Sequence, residues 1–409
     1  MDVQTATLRQ DGRVLGLVCS AHFMSHIYLI ALPPLFPLLQ AELGLSYAEL
    51  GLLVTVFYAS SSVAQMPVGM LVDRIGGPLV VAMGLGLEGA AFTVMGFSQG
   101  YAPLLTLAAV AGLGHSVFHP ADFAILSATI AETRIGKAFS LHTSAGHLGT
   151  AVSPAVMIFL AAFWDWRGAL AIVGVVGMVA GAAVLTLRGT LTGDIEERRA
   201  AKDRSMGAEE AEGPRGLALF LSWPMLMMLV FFICTALISS GVRSFSISAL
   251  DEIHATPMAA AAAALSAYLF ASIAGVLFGG YLADRIRRYD LSMALAFAGS
   301  GLIMVLAGTT ALPAALLLGL FLVAGFLQGM VRPQRDMLVR RRATRKTLGR
   351  AYGYVSTGAS AGGAVAPILF GWILDLGHAT WVFYGIALVM LVCMFALLFD
   401  RPPSRARPA

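Results

Sequence analysis

Apolar and polar residues fall along this chain in long blocks, not at the short periods of a soluble domain. Twelve apolar stretches stand out, at about 14–38, 48–72, 77–97, 101–129, 136–163, 168–187, 223–250, 258–283, 290–310, 313–339, 349–375 and 379–399. Each is long enough to cross the hydrocarbon of a bilayer as a helix, which takes about 20 residues. The one long hydrophilic segment, 189–216, carries Asp194, Glu196, Glu197, Arg198 and Arg199 and divides the spans into six and six. The pattern predicts an all-α integral membrane protein with an N-terminal six-helix bundle (1–188), a cytoplasmic linker (189–216) and a C-terminal six-helix bundle (217–409).

Composition agrees with the pattern. Hydrophobic residues make up 58% of the 409 and charged residues 12%, against about 25% charged in a soluble domain, and the mean hydropathy is +0.80. Of the 27 Lys and Arg, all except Arg167, Arg243, Arg332 and Arg335 lie in the tails or in alternate loops. By the positive-inside rule this puts both termini in the cytoplasm. The net charge of +4 is then a signature of loops facing an anionic leaflet, not of nucleic-acid binding. The first apolar run starts after Arg13 and is too long for a cleavable signal, so it is expected to remain as a span. Cys19, Cys234 and Cys393 all sit in apolar spans and imply no disulfide or zinc framework. No P-loop, dinucleotide fingerprint or nucleophile–base set is present, so neither an enzyme nor a cofactor is expected.

The halves repeat one another. Gly69-Met-Leu-Val-Asp73-Arg74-Ile recurs 211 residues later as Gly280-Tyr-Leu-Ala-Asp284-Arg285-Ile. Gly136-Lys-Ala-Phe and Gly149-Thr-Ala-Val-Ser-Pro154 recur 213 residues later as Gly349-Arg-Ala-Tyr and Gly362-Gly-Ala-Val-Ala-Pro367. Matches in register at nearly one offset predict two parallel six-helix repeats.

On these residues the chain resembles the major facilitator superfamily over nearly its whole length. The Gly-x-x-x-Asp-Arg loop follows spans two and eight, and a Gly-rich, Pro-containing segment marks spans five and eleven. Within the superfamily, Gly112-x-Gly-x-x-x-Phe118-His119-Pro120, with His22 and Phe36-Pro37-Leu-Leu in span one, looks like the fosmidomycin-resistance branch of drug exporters. The resemblance implies a monomeric, proton-coupled, alternating-access transporter in the cell inner membrane that exports a small organic anion or drug. It places spans one, four, seven and ten around a central cavity and three, six, nine and twelve outside. It also makes Gly69, Asp73, Arg74, Gly280, Asp284 and Arg285 a cytoplasmic latch; the carboxylates are suited to helix N-termini and the glycines to close helix approach.

The candidate chemistry is a polar stripe in span four. His115, His119 and Asp122 stand at i, i+4 and i+7 and share one helix face. The 213-residue offset maps them onto Gln328, Arg332 and Arg335 in span ten, while Pro120 and Pro333 each permit a kink. His22 and His26 in span one, His142 and His147 in span five and Asp336 in span ten complete the set. Ionisable groups at membrane depth mark a pathway or site. His22, His26, His115, His119, Gln328, Arg332 and Arg335 are therefore candidates for substrate binding, the guanidinium groups favouring an anion. Asp122 and His119 are the candidate proton carriers. Glu88 in span three is expected to be a structural pair, and Arg243 to lie near the outer mouth. Metal transport is the alternative, since His22/His26 and His115/His119 are i, i+4 pairs and His254-x-x-x-Met258 is a soft pair. The nearby arginines weigh against a bare cation, so no metal ligand is assigned. A non-transporting receptor is the remaining possibility and ranks last.

Overall fold

The computed structural model describes residues 3–191, 223–286, 288–342 and 348–399. The expected linker lies outside the described residues from position 192, as does the side chain of Asp284. Helices run in the order α1 (Val3–Leu29), a short 3-10 turn (Pro33–Leu35), α2 (Phe36–Leu43), α3 (Tyr47–Ile75), α4 (Gly77–Met95), α5 (Tyr101–His115), α6 (Phe118–Thr129) and α7 (Glu132–Thr186). They continue with α8 (Arg188–Leu191), α9 (Trp223–His254), α10 (Met258–Arg285), α11 (Tyr289–Thr309), α12 (Ala314–Arg342), α13 (Leu348–Asp375) and α14 (Thr380–Phe399).

Ten stretches of this order are long and apolar enough to cross a membrane. One of them, Arg134–Thr186, holds two of the predicted spans, because α7 bends at Trp164 and Asp165, whose backbones are not helical. Asp165 has φ 56°, and its Oδ1 accepts hydrogen bonds from the N–H groups of Arg167 (2.7 Å) and Gly168 (3.0 Å), which caps a new helix start. The chain doubles back there. Ser153 donates to the carbonyl of Ile27, and Tyr28 donates to the carbonyl of Val173, so residues 153 and 173 lie at one level on either side of the bend. With α14 as the last span, the twelve predicted crossings are all present. The helices overrun several of the apolar stretches by a few residues, because backbone hydrogen bonding continues past the point where side chains turn polar.

The repeat seen in sequence is repeated in contacts. Gly149 of span five packs on the carbonyl of Phe23 in span one, and Gly362 of span eleven packs the same way on Ile233 in span seven. In both places a Cβ would collide with backbone, so glycine is what lets the helices touch. The architecture is two pseudo-symmetric six-helix bundles. Large apolar residues such as Val179, Leu295, Leu302 and Leu388 stay exposed on spans six, nine and twelve, as a lipid-facing rim requires.

The halves close on each other at one end. Tyr47 and Ala48 donate backbone hydrogen bonds to Asp375, the Tyr47 hydroxyl donates to Glu252 at 3.0 Å, and Thr55 donates to the carbonyl of Ala364 at 2.7 Å. Phe36 meets Phe245 with ring centroids 5.5 Å apart. Toward the opposite end of α3, Val63, Met66 and Met70 are 78%, 82% and 56% exposed. Asp73 and Arg74 lie in the last turn of α3 and are also exposed. Gly69 and Gly280 have nothing within 4 Å of an added Cβ, so the close helix approach expected at these two glycines is absent here. That expectation presupposed halves joined at the loop end, whereas here they are joined at the other. Arg285 instead lays its guanidinium 3.6 Å from the Tyr281 ring centroid of its own helix.

Candidate functional site

Span four carries the stripe, and its break lies next to Pro120. That residue has no N–H to return to the carbonyl of Ser116, and the helix is interrupted at Ser116 and Val117 between α5 and α6. Pro333, its repeat partner, lies inside the continuous α12, so only the first of the two expected interruptions is present.

Behind this break the stripe turns into the N-terminal bundle. Asp122 is fully buried, with Oδ2 3.2 Å from His22 Nδ1 of span one and 3.6 Å from His142 Nε2 of span five. Neither approach is aligned as a hydrogen bond. Both Asp122 oxygens, His22 Nδ1 and both His142 ring nitrogens are therefore buried without a hydrogen-bond partner. The His22 ring stacks near His142 (centroids 3.8 Å), and lies 4.5 Å from His26 and 5.6 Å from His119. His119 is exposed and lies beside Phe123.

A second buried pair lies one turn away. His115 Nδ1 is 3.1 Å from Glu88 Oε1, and Glu88 is fully buried in span three. This is the pairing expected for Glu88. His26 Nδ1 is hydrogen-bonded to Thr150 Oγ1 at 2.9 Å.

The cavity between the halves is built mainly by the other half. It measures about 390 Å³ and is lined by Arg243 of span seven, Tyr268 of span eight, and Gln328, Arg332 and Arg335 of span ten, with Tyr58 and Ser62 reaching in from span two. A recess of about 60 Å³ adjoins it, where His26, His147 and Thr150 face Arg243 and Arg332. Of the seven sequence-predicted binding residues, Gln328, Arg332, Arg335 and His26 therefore line these spaces. His22, His115 and His119 do not; they stand in the histidine cluster behind them.

The three arginines are not equivalent. Arg335 is 3.2 Å from Asp336 through both Nε and Nη2, and stacks 4.0 Å over the Phe232 ring. Arg243 and Arg332 have no ion pair among the described residues, and no carboxylate lines the cavity. Arg243 was expected at the outer mouth on a count from the start of span seven. It stands beside Arg332 in the cavity lining, two residues before Phe245 at the closed end. His142 was also missed as a site residue. Same-helix spacing cannot see a partner that arrives from another helix, and the only signal was the concentration of histidines in spans one, four and five.

Comparison with known proteins fits this architecture. Residues 18–251 and 231–409 match the Major Facilitator Superfamily, and the chain belongs to that family. It is a multi-pass membrane transporter of a small molecule, not an enzyme. Among curated relatives it is 25% identical over 378 residues to the probable sulfoacetate transporter SauU of Cupriavidus necator, covering 88% of this chain and 87% of that one. It is 24% identical over 292 residues to the fosmidomycin resistance protein of Escherichia coli, covering 69% and 68%. Among solved structures, the nucleoside transporter NupG aligns with a TM-score of 0.78 at 13% identity, over 94% of this chain and 99% of that one. A bacterial homologue of the lysosomal transporter Spinster, in an inward-facing and unoccupied conformation, aligns with a TM-score of 0.73 over 95% of each chain at 13% identity. These two likenesses concern the fold.

Proposed function

We propose that this protein is a proton-coupled, alternating-access transporter of a small organic anion, monomeric in the cell inner membrane with both termini cytoplasmic. The observation that carries the reading is the pair Arg243 and Arg332, which line a cavity of about 390 Å³ that no carboxylate lines. Neither guanidinium has an ion pair among the described residues, and an anionic ligand supplies one through forked, charge-assisted hydrogen bonds. Gln328, Tyr268 and Ser62 add polar contacts. The relatives named for sulfoacetate and for fosmidomycin resistance support an anionic or drug-like substrate, and the second supports export.

Proton coupling rests on Asp122. A fully buried carboxylate with two imidazoles at 3.2 and 3.6 Å can pass a proton among the three without exposing a bare charge, and exposed His119 leads outward from it. The basic loops support an orientation in which the closed end, at Tyr47 and Asp375, faces outside, and in that reading this is the inward-open state. The Asp73–Arg74 and Asp284–Arg285 loops are then the parts that meet when the halves rock to the other state. The residues 1–188 and 217–409 are the two rocking bodies. The test is flux of anionic candidates into proteoliposomes under imposed pH gradients. Asp122→Asn is expected to abolish gradient-driven accumulation while leaving anion exchange, and Arg332→Ala to lose both. Equal flux in all three proteins would sink the assignment.

A further inference from the structure

We propose that His22, Asp122 and His142 form a binding site for one divalent transition-metal ion of the zinc class. The site lies inside the N-terminal bundle and not among the residues that line the cavity between the halves, and it uses the three residues to which the transport reading gives the proton, so that ion and proton compete for one set of atoms. Three helices build it: span one brings His22, span four Asp122 and span five His142.

The first argument is geometric. One ligand atom from each residue lies within 4.8 Å of the other two. Ligands bound tetrahedrally at zinc–nitrogen and zinc–oxygen lengths of about 2.0–2.1 Å stand about 3.3 Å from each other. The distances from Asp122 Oδ2 to His22 Nδ1 and to His142 Nε2 are 3.2 and 3.6 Å. These are ligand-to-ligand edges of such a tetrahedron, and the third edge needs only a modest closing movement.

The second argument is the state of those atoms. Asp122 Oδ1 and Oδ2, His22 Nδ1 and His142 Nε2 are all buried and make no hydrogen bond. Buried polar atoms in a folded protein nearly always have a partner. Five such atoms converging in one place, counting His142 Nδ1, point to an ion that aligns them. Burial also argues for a resident ion over a transported one, because Asp122 is 0% and His142 1% exposed.

Donor chemistry selects the ion. Two imidazoles and one carboxylate suit zinc, cobalt or nickel; calcium and magnesium prefer all-oxygen sets, and copper(I) prefers sulfur. One carboxylate leaves a net single positive charge on the filled site. Exposed His119, 5.6 Å from His22, is the entry from solvent. This set differs from the i, i+4 pairs read from sequence, since its ligands come from three helices.

The probe is Zn²⁺ itself, titrated into the purified, chelator-stripped full-length protein in lipid nanodiscs. Calorimetry is expected to give one tight equivalent, and Co²⁺ in its place the visible bands of a four-coordinate ion. His22→Asn, Asp122→Asn and His142→Asn are each expected to weaken binding at least about tenfold. The double variant His254→Asn/His378→Asn, outside the cluster, is expected to bind as wild type does. Absence of a tight equivalent in wild type, or unchanged affinity in triad variants, overturns the proposal. X-ray absorption at the zinc edge of the wild-type protein tests it without any substitution. Nitrogen and oxygen neighbours support it, and sulfur from Cys19, Cys234 or Cys393 overturns it. These readouts need no transport, so they succeed or fail apart from the anion reading at Arg243 and Arg332, whereas a tight equivalent held by Asp122 excludes Asp122 as the proton carrier.

Discussion

Asp375, the last residue of α13, caps the helix that begins at Tyr47: its Oδ1 accepts the Tyr47 backbone N–H at 2.6 Å and its Oδ2 that of Ala48 at 2.8 Å. The first turn of a helix exposes unpaired N–H groups and the positive end of the macrodipole, and a carboxylate satisfies both. Here the cap comes from the other half of the molecule. Ser46 and Glu49 already form a capping box on the same turn, so Asp375 takes donors that local sequence leaves over.

Removing this cap should favour separation of the halves at that end. Asp375→Ala is expected to cost the closed state about 1–2 kcal/mol, a five- to thirtyfold change in the ratio of states. Spin labels placed by Ala41→Cys and His378→Cys, in a background without native cysteines, read this as growth of a longer-distance population. A distance distribution unchanged by Asp375→Ala would show that the cap holds nothing.

Arg243, Arg332 and Arg335 all line the cavity, yet their substitution should not be equally harmful. Loss of an unpaired guanidinium that binds an anion removes about 1.5–3 kcal/mol, or roughly ten- to a hundredfold in affinity. Arg243→Ala and Arg332→Ala are expected to show this loss. Arg335→Ala should show clearly less, because its fork is already engaged with Asp336 and Phe232. Substrate-concentration dependence of flux for the three variants gives the ranking, and the reverse order would disprove it.

Glu88 offers a contrast between removing a partner and keeping its shape. Glu88→Ala leaves His115 buried without its 3.1 Å contact and opens a gap against spans three and four. Leaving a buried hydrogen-bonding group without its partner is expected to cost about 1–3 kcal/mol. Glu88→Gln retains the hydrogen bond to His115 and should cost much less. Thermal unfolding in detergent compares them; similar melting of both variants would mean that the pair contributes little.

Most of the fold was legible because membrane spans are written in runs of apolar residues, and the turn at Trp164–Asp165 fell where polarity interrupts such a run. The repeat was legible in the same way, and Gly149 and Gly362 make equivalent contacts in the two halves. The candidate site was legible only by helix. His115, His119 and Asp122 were correctly placed on one segment, but which neighbours they meet depends on how that segment is rotated and on helices distant in sequence. His22 reaches Asp122 across 100 positions, and Asp375 reaches Tyr47 across 328. No periodicity encodes either encounter.

Arg243, Arg332 and Arg335 hang from spans seven and ten, while Glu88, Asp122 and the six histidines of the cluster belong to spans one, three, four and five. Under the proposed rocking mechanism, fixed positive charge and exchangeable protons are thereby mounted on different halves and move with them. Among the described residues the two face each other at the recess of about 60 Å³ where His26 and His147 look across at Arg243 and Arg332, room for a few water molecules. In the proposed mechanism, coupling between anion and proton passes through that recess.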